Sequence, residues 1–183
     1  METLTELRSF VSNPHFRQRR QQSLSQLDTS TIDLTILDVV SDLGRLPYCF
    51  TLQSCFGHFL TGAQDEPRST RPLPVSCGVS EVEYRIAYLA PCIEDSEPGS
   101  AFFDDLRRVT AIDPEYVQFG YADWFWERQV NSYVLQVESA RYKTQAGALV
   151  TCGEALHTER IRDRFYTELR LLVQARLRTA AHR

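Results

Sequence analysis

The chain contains no apolar run approaching the roughly 20 residues that a bilayer-spanning helix requires. Its opening residues, Met1 to Arg8, lack the basic and apolar regions of a signal peptide. These two absences set the expectation of a cytoplasmic protein with no membrane partner. No C-x-x-C pair occurs, which argues against a structural zinc site. The five cysteines (Cys49, Cys55, Cys77, Cys92 and Cys152) are odd in number and dispersed, unlike a secreted disulfide framework. Cys55-x-x-His58 has a spacing that can chelate, but such pairs are frequent by chance, so no metal is assigned. Also missing are G-x-G-x-x-G, the P-loop, G-x-S-x-G and H-E-x-x-H. Their absence disfavours the familiar nucleotide-binding and hydrolase types. There is no internal repeat and no low-complexity segment.

What remains is an ordinary globular composition, 43% hydrophobic and 24% charged, on a chain of 183 residues. That length fits one domain, residues 1–183. The net charge of −4 is unevenly spread. Acidic residues dominate between Glu81 and Glu138, whereas seven arginines crowd the stretch from His157 to Arg183. Arg17, Arg19 and Arg20 form a second basic cluster. If the two termini met, they would make a basic face on an acidic protein; the plainer reading is the solvated sides of amphipathic helices.

Leu4, Leu7, Phe10 and Val11 repeat at helical spacing up to Asn13-Pro14, and Phe16 to Leu27 resumes the pattern. Asp28, Thr29 and Ser30 then offer caps for a third helix. Its apolar face is Ile32, Ile36, Val39, Val40 and Leu43, with Gly44 as its C-terminal stop. Tyr48 to Ser54 reads as a strand. Thr61 to Gly78, with Pro67, Pro72 and Pro74, reads as a long loop.

The clearest strand is Glu81 to Pro91, in which Val82, Tyr84, Ile86 and Tyr88 are expected in the core and Glu83 and Arg85 outside it. A helix through Phe102, Phe103, Leu106 and Val109 stops at Asp113-Pro114. Tyr116 to Trp126 and Asn131 to Glu138 read as a hairpin. A long helix from about Glu154 to Arg178 closes the fold on Ile161, Phe165, Leu169, Leu172 and Leu177. The expected class is α+β: N-terminal helices, a mainly antiparallel or mixed sheet and a long C-terminal helix.

Two runs carry candidate chemistry. Gln53-Ser54-Cys55-Phe56-Gly57-His58 lies where the first strand should end, a place where polar side chains converge on ligands. Gly57 permits a positive φ or a close approach, and Cys55 is a nucleophile if His58 acidifies its thiol. The competing reading is a small buried thiol beside a hydrogen-bonded loop histidine. The second run is Tyr121-Ala122-Asp123-Trp124-Phe125-Trp126. On a strand, Trp124 and Trp126 would share one face and could stack on a base or adenine ring; otherwise they pack in the core.

Several of these segments together resemble a known family. They are Phe16-Arg17-Gln18-Arg19-Arg20, then Asp28-Thr29-Ser30-Thr31-Ile32-Asp33, then Pro47 and Thr51 ahead of Ser54-Cys55-Phe56-Gly57-His58. This order looks like the opening of the tRNA wybutosine-synthesizing methyltransferase family, the third protein of that pathway. That family has an F-x-x-R-[KR] helix, a D-x-S-x-x-x-I-D step and a strand ending in S-S-C-S-G-R. Ser54, Cys55 and Gly57 match; Gln53 and Phe56 stand where it has serines, and His58 where it has arginine. The likeness covers about residues 16–59. It implies an α+β fold, S-adenosylmethionine as cofactor, and methyl transfer to a tricyclic tRNA base, hence tRNA as partner. Loss of the motif arginine removes a fixed cation and bidentate donor.

The leading expectation is an RNA-modifying or RNA-binding protein whose ligand-binding residues are Gln53, Ser54, Cys55, Gly57, His58, Trp124 and Trp126. The alternatives are a small-molecule-binding domain using the same pocket, and a protein-interaction domain using the basic terminal helices.

Overall fold

The computed structural model describes residues 7–62, 70–74, 78, 80–139, 142 and 147–181. Helices α1 (Phe16–Ser25) and α2 (Leu37–Arg45) precede the strands β1 (Cys49–Cys55), β2 (His58–Leu60), β3 (Glu81–Arg85) and β4 (Ala87–Ile93). Then come α3 (Glu97–Val109), β5 (Val117–Gly120), α4 (Asp123–Arg128), β6 (Val134–Val137), β7 (Gly147–Thr151) and the long helix α5 (Cys152–Ala181). The class is α+β, with one sheet in the order β1-β4-β6-β5 and another in the order β2-β3-β7. Every pairing is antiparallel.

The two sheets are joined by one bent hairpin. Cys55 pairs with Tyr88 and His58 pairs with Arg85, so Phe56-Gly57 on one arm faces Ile86-Ala87 on the other. The chain from Glu81 to Ile93 is therefore two strands rather than the single strand expected. Val82, Tyr84 and Ile86 are buried, with Glu83 and Arg85 exposed, but Tyr88 beyond the bend is only half-buried. A second irregularity lies in β1, where the register shifts between Thr51 and Gln53. Thr51 faces Pro91 of β4, and proline has no N–H for the ladder, which confines it to edges and bulges.

The main core gathers Val39, Val40 and Leu43 of α2, Phe102 and Leu106 of α3, and Ile161, Phe165, Tyr166 and Leu169 of α5 against the larger sheet. Ser96 caps α3 by accepting from the Gly99 N–H, the role its place before Glu97-Pro98 dictates. Arg170 reaches Asp38 of α2 at 2.6 Å, and Arg176 reaches Asp105 of α3 at 2.6 Å. These arginines of the basic C-terminal stretch are thus tied to acidic partners inside the molecule.

Three further local expectations differ from the structure. Residues 7–13 are not helical. The Asn131 side-chain amide both donates to and accepts from the Val11 backbone, at 2.8 Å each, and Phe10 packs edge-on to Phe103 and Tyr133. Tertiary partners thereby take the backbone groups a helix would use. Asp28 caps a single 3₁₀ turn rather than α2, which begins at Leu37 and contains Gly44. Finally, Trp124 and Trp126 sit on helix α4 and not on a hairpin strand. Cys152 is disulfide-bonded, so the cysteines are not thiols throughout; Cys49, Cys55 and Cys92 are free.

Candidate functional site

The bend between β1 and β2 exists because of Gly57. Its φ is +90°, a region L side chains avoid, and a Cβ there would lie 2.6 Å from the Ala87 Cβ. Only glycine lets the two arms cross so closely. The bend is clamped from α5: Arg162, almost fully buried, donates to the Gly57 carbonyl at 3.0 Å. Its guanidinium also lies 4.1 Å from the Phe56 ring centroid and reaches Glu159 and Asp163. The Tyr166 hydroxyl donates to the Cys55 carbonyl at 2.6 Å. Burial holds that hydroxyl well above the usual phenol range, so it stays a neutral donor.

Beside the bend opens a cavity of about 620 Å³ lined by Gln53, Ser54, Cys55 and His58. Its opposite wall comes from the segment before α2, with Leu27, Thr31, Ile32 and Asp33, and its rim includes Glu83, Arg85 and Tyr88. Asp33 is the hub. Its Oδ2 accepts from the Phe56 N–H at 2.9 Å and lies 3.4 Å from His58 Nε2. The ligating atoms of Asp33, Cys55 and His58 all lie within 4.8 Å of one another. The Gly57 N–H donates to Cys55 Sγ at 3.4 Å. Burial raises the Tyr88 hydroxyl far above its ordinary range, Cys55 adding to the effect while a hydrogen bond from Gln53 opposes it.

The structure thus brings Gln53, Ser54, Cys55 and His58 to one cavity. Gly57 shapes the bend without lining the cavity, and Trp124 and Trp126 lie elsewhere. Trp126 is buried against Tyr121 and Tyr133, with the Arg8 guanidinium 5.3 Å away, and Trp124 is 45% exposed. Asp33 and Tyr88 were missed among the site residues. For Asp33 the signal was present, since it ends the D-x-S…I-D step, but nothing local shows that this aspartate meets His58. Most of the expected loop from Thr61 to Gly78 lies outside the described residues. Within it, Leu73 is buried beside Phe59 and Val82, and its N–H donates to Glu159 at 2.9 Å.

No family model and no curated protein matches the chain. Among solved structures, that of the PH1069 protein from Pyrococcus horikoshii is similar at a TM-score of 0.45 and 14% identity. The alignment covers 89% of this chain and 92% of that one, and a likeness of this strength carries no functional argument. No helix among the described residues is long and apolar enough to cross a membrane.

Proposed function

We propose that the cavity beside the β1–β2 bend is the ligand site of an RNA-modifying or RNA-binding protein, related to the wybutosine-synthesizing methyltransferases it resembles. One observation supports this reading above others. The segments that carry the resemblance, scattered from residue 16 to residue 58, pack on one another, and Thr31, Ile32, Asp33, Thr51, Ser54, Cys55 and His58 among them line the cavity. Phe16 rests on Phe50 of β1 at 5.6 Å between ring centroids, and Arg20 donates to the Leu46 and Cys49 carbonyls. Asp33 meets Phe56 and His58, and Ser54 and Cys55 face the space. A volume of about 620 Å³ lies within the roughly 300–1,000 Å³ usual for small-molecule sites.

The lining suits S-adenosylmethionine in chemical kind. Leu27, Ile32 and Val40 offer an apolar wall for a purine, and Gln53, Ser54 and Tyr88 offer polar groups for a ribose. Glu83 and Arg85, paired with each other at 3.2 Å, would meet the amino and carboxylate groups. When bound, that cofactor supplies an electrophilic methyl group. Where the family carries an arginine, His58 here is turned to Asp33, so the fixed cation must come from Arg85 or not at all.

A second reading, a small-molecule site without RNA, is favoured by the fate of the α5 arginines. Arg162, Arg170 and Arg176 are all paired with acidic side chains of the same chain, leaving fewer for phosphates. Calorimetry with S-adenosylmethionine and tRNA binding at two salt concentrations separate the readings. The first expects heat with the cofactor and tRNA affinity that falls steeply with salt. Cofactor heat without tRNA binding selects the second, and neither signal overturns both.

A further inference from the structure

We infer that Asp33, Cys55 and His58 form a transition-metal site, suited to zinc, whose remaining coordination position faces the cavity. The three residues come from two separate places in the chain: the turn before α2, and the two ends of the β1–β2 bend. They supply a carboxylate oxygen, a thiol sulfur and an imidazole nitrogen, three of the donors zinc takes. Their separations fit an ion better than direct contact. A charge-assisted hydrogen bond between imidazole and carboxylate would sit at about 2.7–2.9 Å. His58 Nε2 and Asp33 Oδ2 are instead 3.4 Å apart. Metal bonds of about 2.0–2.3 Å in tetrahedral array place neighbouring ligands about 3.3–3.8 Å apart, so this edge already has its bound length. The sulfur, within 4.8 Å of both partners, closes on the ion by a side-chain rotation.

The surroundings are those of a ligand set held in place. His58 is 3% exposed, and the Phe56 N–H fixes the carboxylate at 2.9 Å. The Gly57 N–H points at the sulfur, as backbone donors do around metal thiolates. Cys55 is half-buried on the cavity wall, so a fourth ligand, water or a bound molecule, reaches the ion from the open side. Three protein ligands and one open position is the pattern of zinc sites that act on a substrate rather than hold a fold.

The test uses the full chain, stripped of metal and titrated with cobalt(II) as the probe. The expected result is one cobalt per chain, with near-ultraviolet thiolate-to-cobalt absorption and the strong visible bands of a four-coordinate ion, both bleached by zinc. Cys55→Ser should abolish the thiolate absorption. Asp33→Asn, which keeps an oxygen for the Phe56 N–H, should weaken zinc binding by at least about 10-fold, the lower range of loss for a mere outer-shell partner. Circular dichroism of each variant confirms that it folds. In the unaltered protein, zinc should slow alkylation of Cys55 by iodoacetamide, a readout that needs no variant. An unchanged alkylation rate, absence of stoichiometric cobalt binding, or thiolate absorption surviving in Cys55→Ser overturns the inference. It stands apart from the cofactor reading, because S-adenosylmethionine calorimetry in excess chelator reports on that ligand alone.

Discussion

Polar side chains face a cavity at the β1–β2 bend, whereas at α4 an aromatic run folds back into the protein. The difference comes from what each backbone does with its hydrogen-bonding groups. At the bend the ladder is interrupted between the pairs Cys55–Tyr88 and His58–Arg85, and side chains or α5 supply the partners instead. Asp33 takes the Phe56 N–H, Cys55 Sγ takes that of Gly57, and Arg162 serves the Gly57 carbonyl. Such a place draws acids, thiols and imidazoles together. In α4 the backbone satisfies itself, as in the Gln129 N–H to Phe125 carbonyl bond at 2.9 Å, and the rings are free to seek apolar partners. Trp126 finds Tyr133, and Phe125 packs near Tyr88 at 6.5 Å.

The sharpest way to break the bend is Gly57→Val. The side chain would meet the Ala87 Cβ at 2.6 Å and the Ala87 nitrogen at 2.9 Å, on a backbone at φ +90°. Adding left-handed strain for a β-branched residue to overpacking gives a loss of about 4–5 kcal/mol. Chemical denaturation should show it with or without a ligand, since Gly57 does not line the cavity. A variant of unaltered stability that loses only ligand binding would mean that this residue contacts the ligand and not merely the turn.

At α4 the equivalent blow is Trp126→Ala. The ring is 8% exposed and touches both Tyr121 and Tyr133. Removing it should cost about 3 kcal/mol, the low end for a large aromatic at a site near the surface. Binding to the cavity should be unchanged. A loss of ligand affinity at constant stability would instead assign Trp126 to a stacking platform.

A smaller effect is expected from Arg162→Lys. Lysine keeps the charge but loses the planar fork that spans the Gly57 carbonyl and Asp163, and the stacking on Phe56. The cost should be about 2 kcal/mol in denaturant midpoint experiments, because the Gly57 carbonyl is left with a poorer partner in a buried place.

These contrasts also explain what could be read from sequence. The period-2 alternation of Val82, Tyr84 and Ile86 was legible because it depends on neighbours in the chain. So were α3, through Phe102, Leu106 and Val109, and α5, through Ile161, Phe165 and Leu169. Tyr166 and Val173 of α5 are equally buried and lie on the same face, between Leu169 and Leu177 around the helix, so the stripe was broader than the residues first named for it. The kink at Ile86 was not legible, since its cause is Gly57 on the opposite arm. Leu7 and Phe10 have helical spacing, yet their conformation is set by Asn131, 120 residues from Val11. At the candidate site, Gln53, Ser54, Cys55 and His58 could be singled out as a run. Asp33 could not be joined to them, because the Asp33–His58 approach is a tertiary fact. Trp124 and Trp126 misled for a related reason: i, i+2 spacing suits a strand, but both lie in the six-residue helix α4, where Trp126 is buried against Tyr121 and Trp124 is exposed.

The finest test pairs one exposed residue from each region, Gln53→Ala and Trp124→Ala. Both residues are exposed, Trp124 to 45%, so neither change should shift stability by more than about 1 kcal/mol. For Trp124 the interactions at risk are an edge-on contact with Phe125 at 4.7 Å and the Arg128 guanidinium 4.4 Å from its ring, an exposed cation–π pair worth about 0.5–1 kcal/mol. Gln53 lines the cavity together with Tyr88, so its loss removes a polar group from the site. Calorimetry with S-adenosylmethionine should therefore separate two variants that melting does not. Gln53→Ala should weaken binding several-fold, and Trp124→Ala should leave it unaltered. Equal loss in both would place the ligand across the two regions, whereas loss in Trp124→Ala alone would move the binding site to the exposed face of α4.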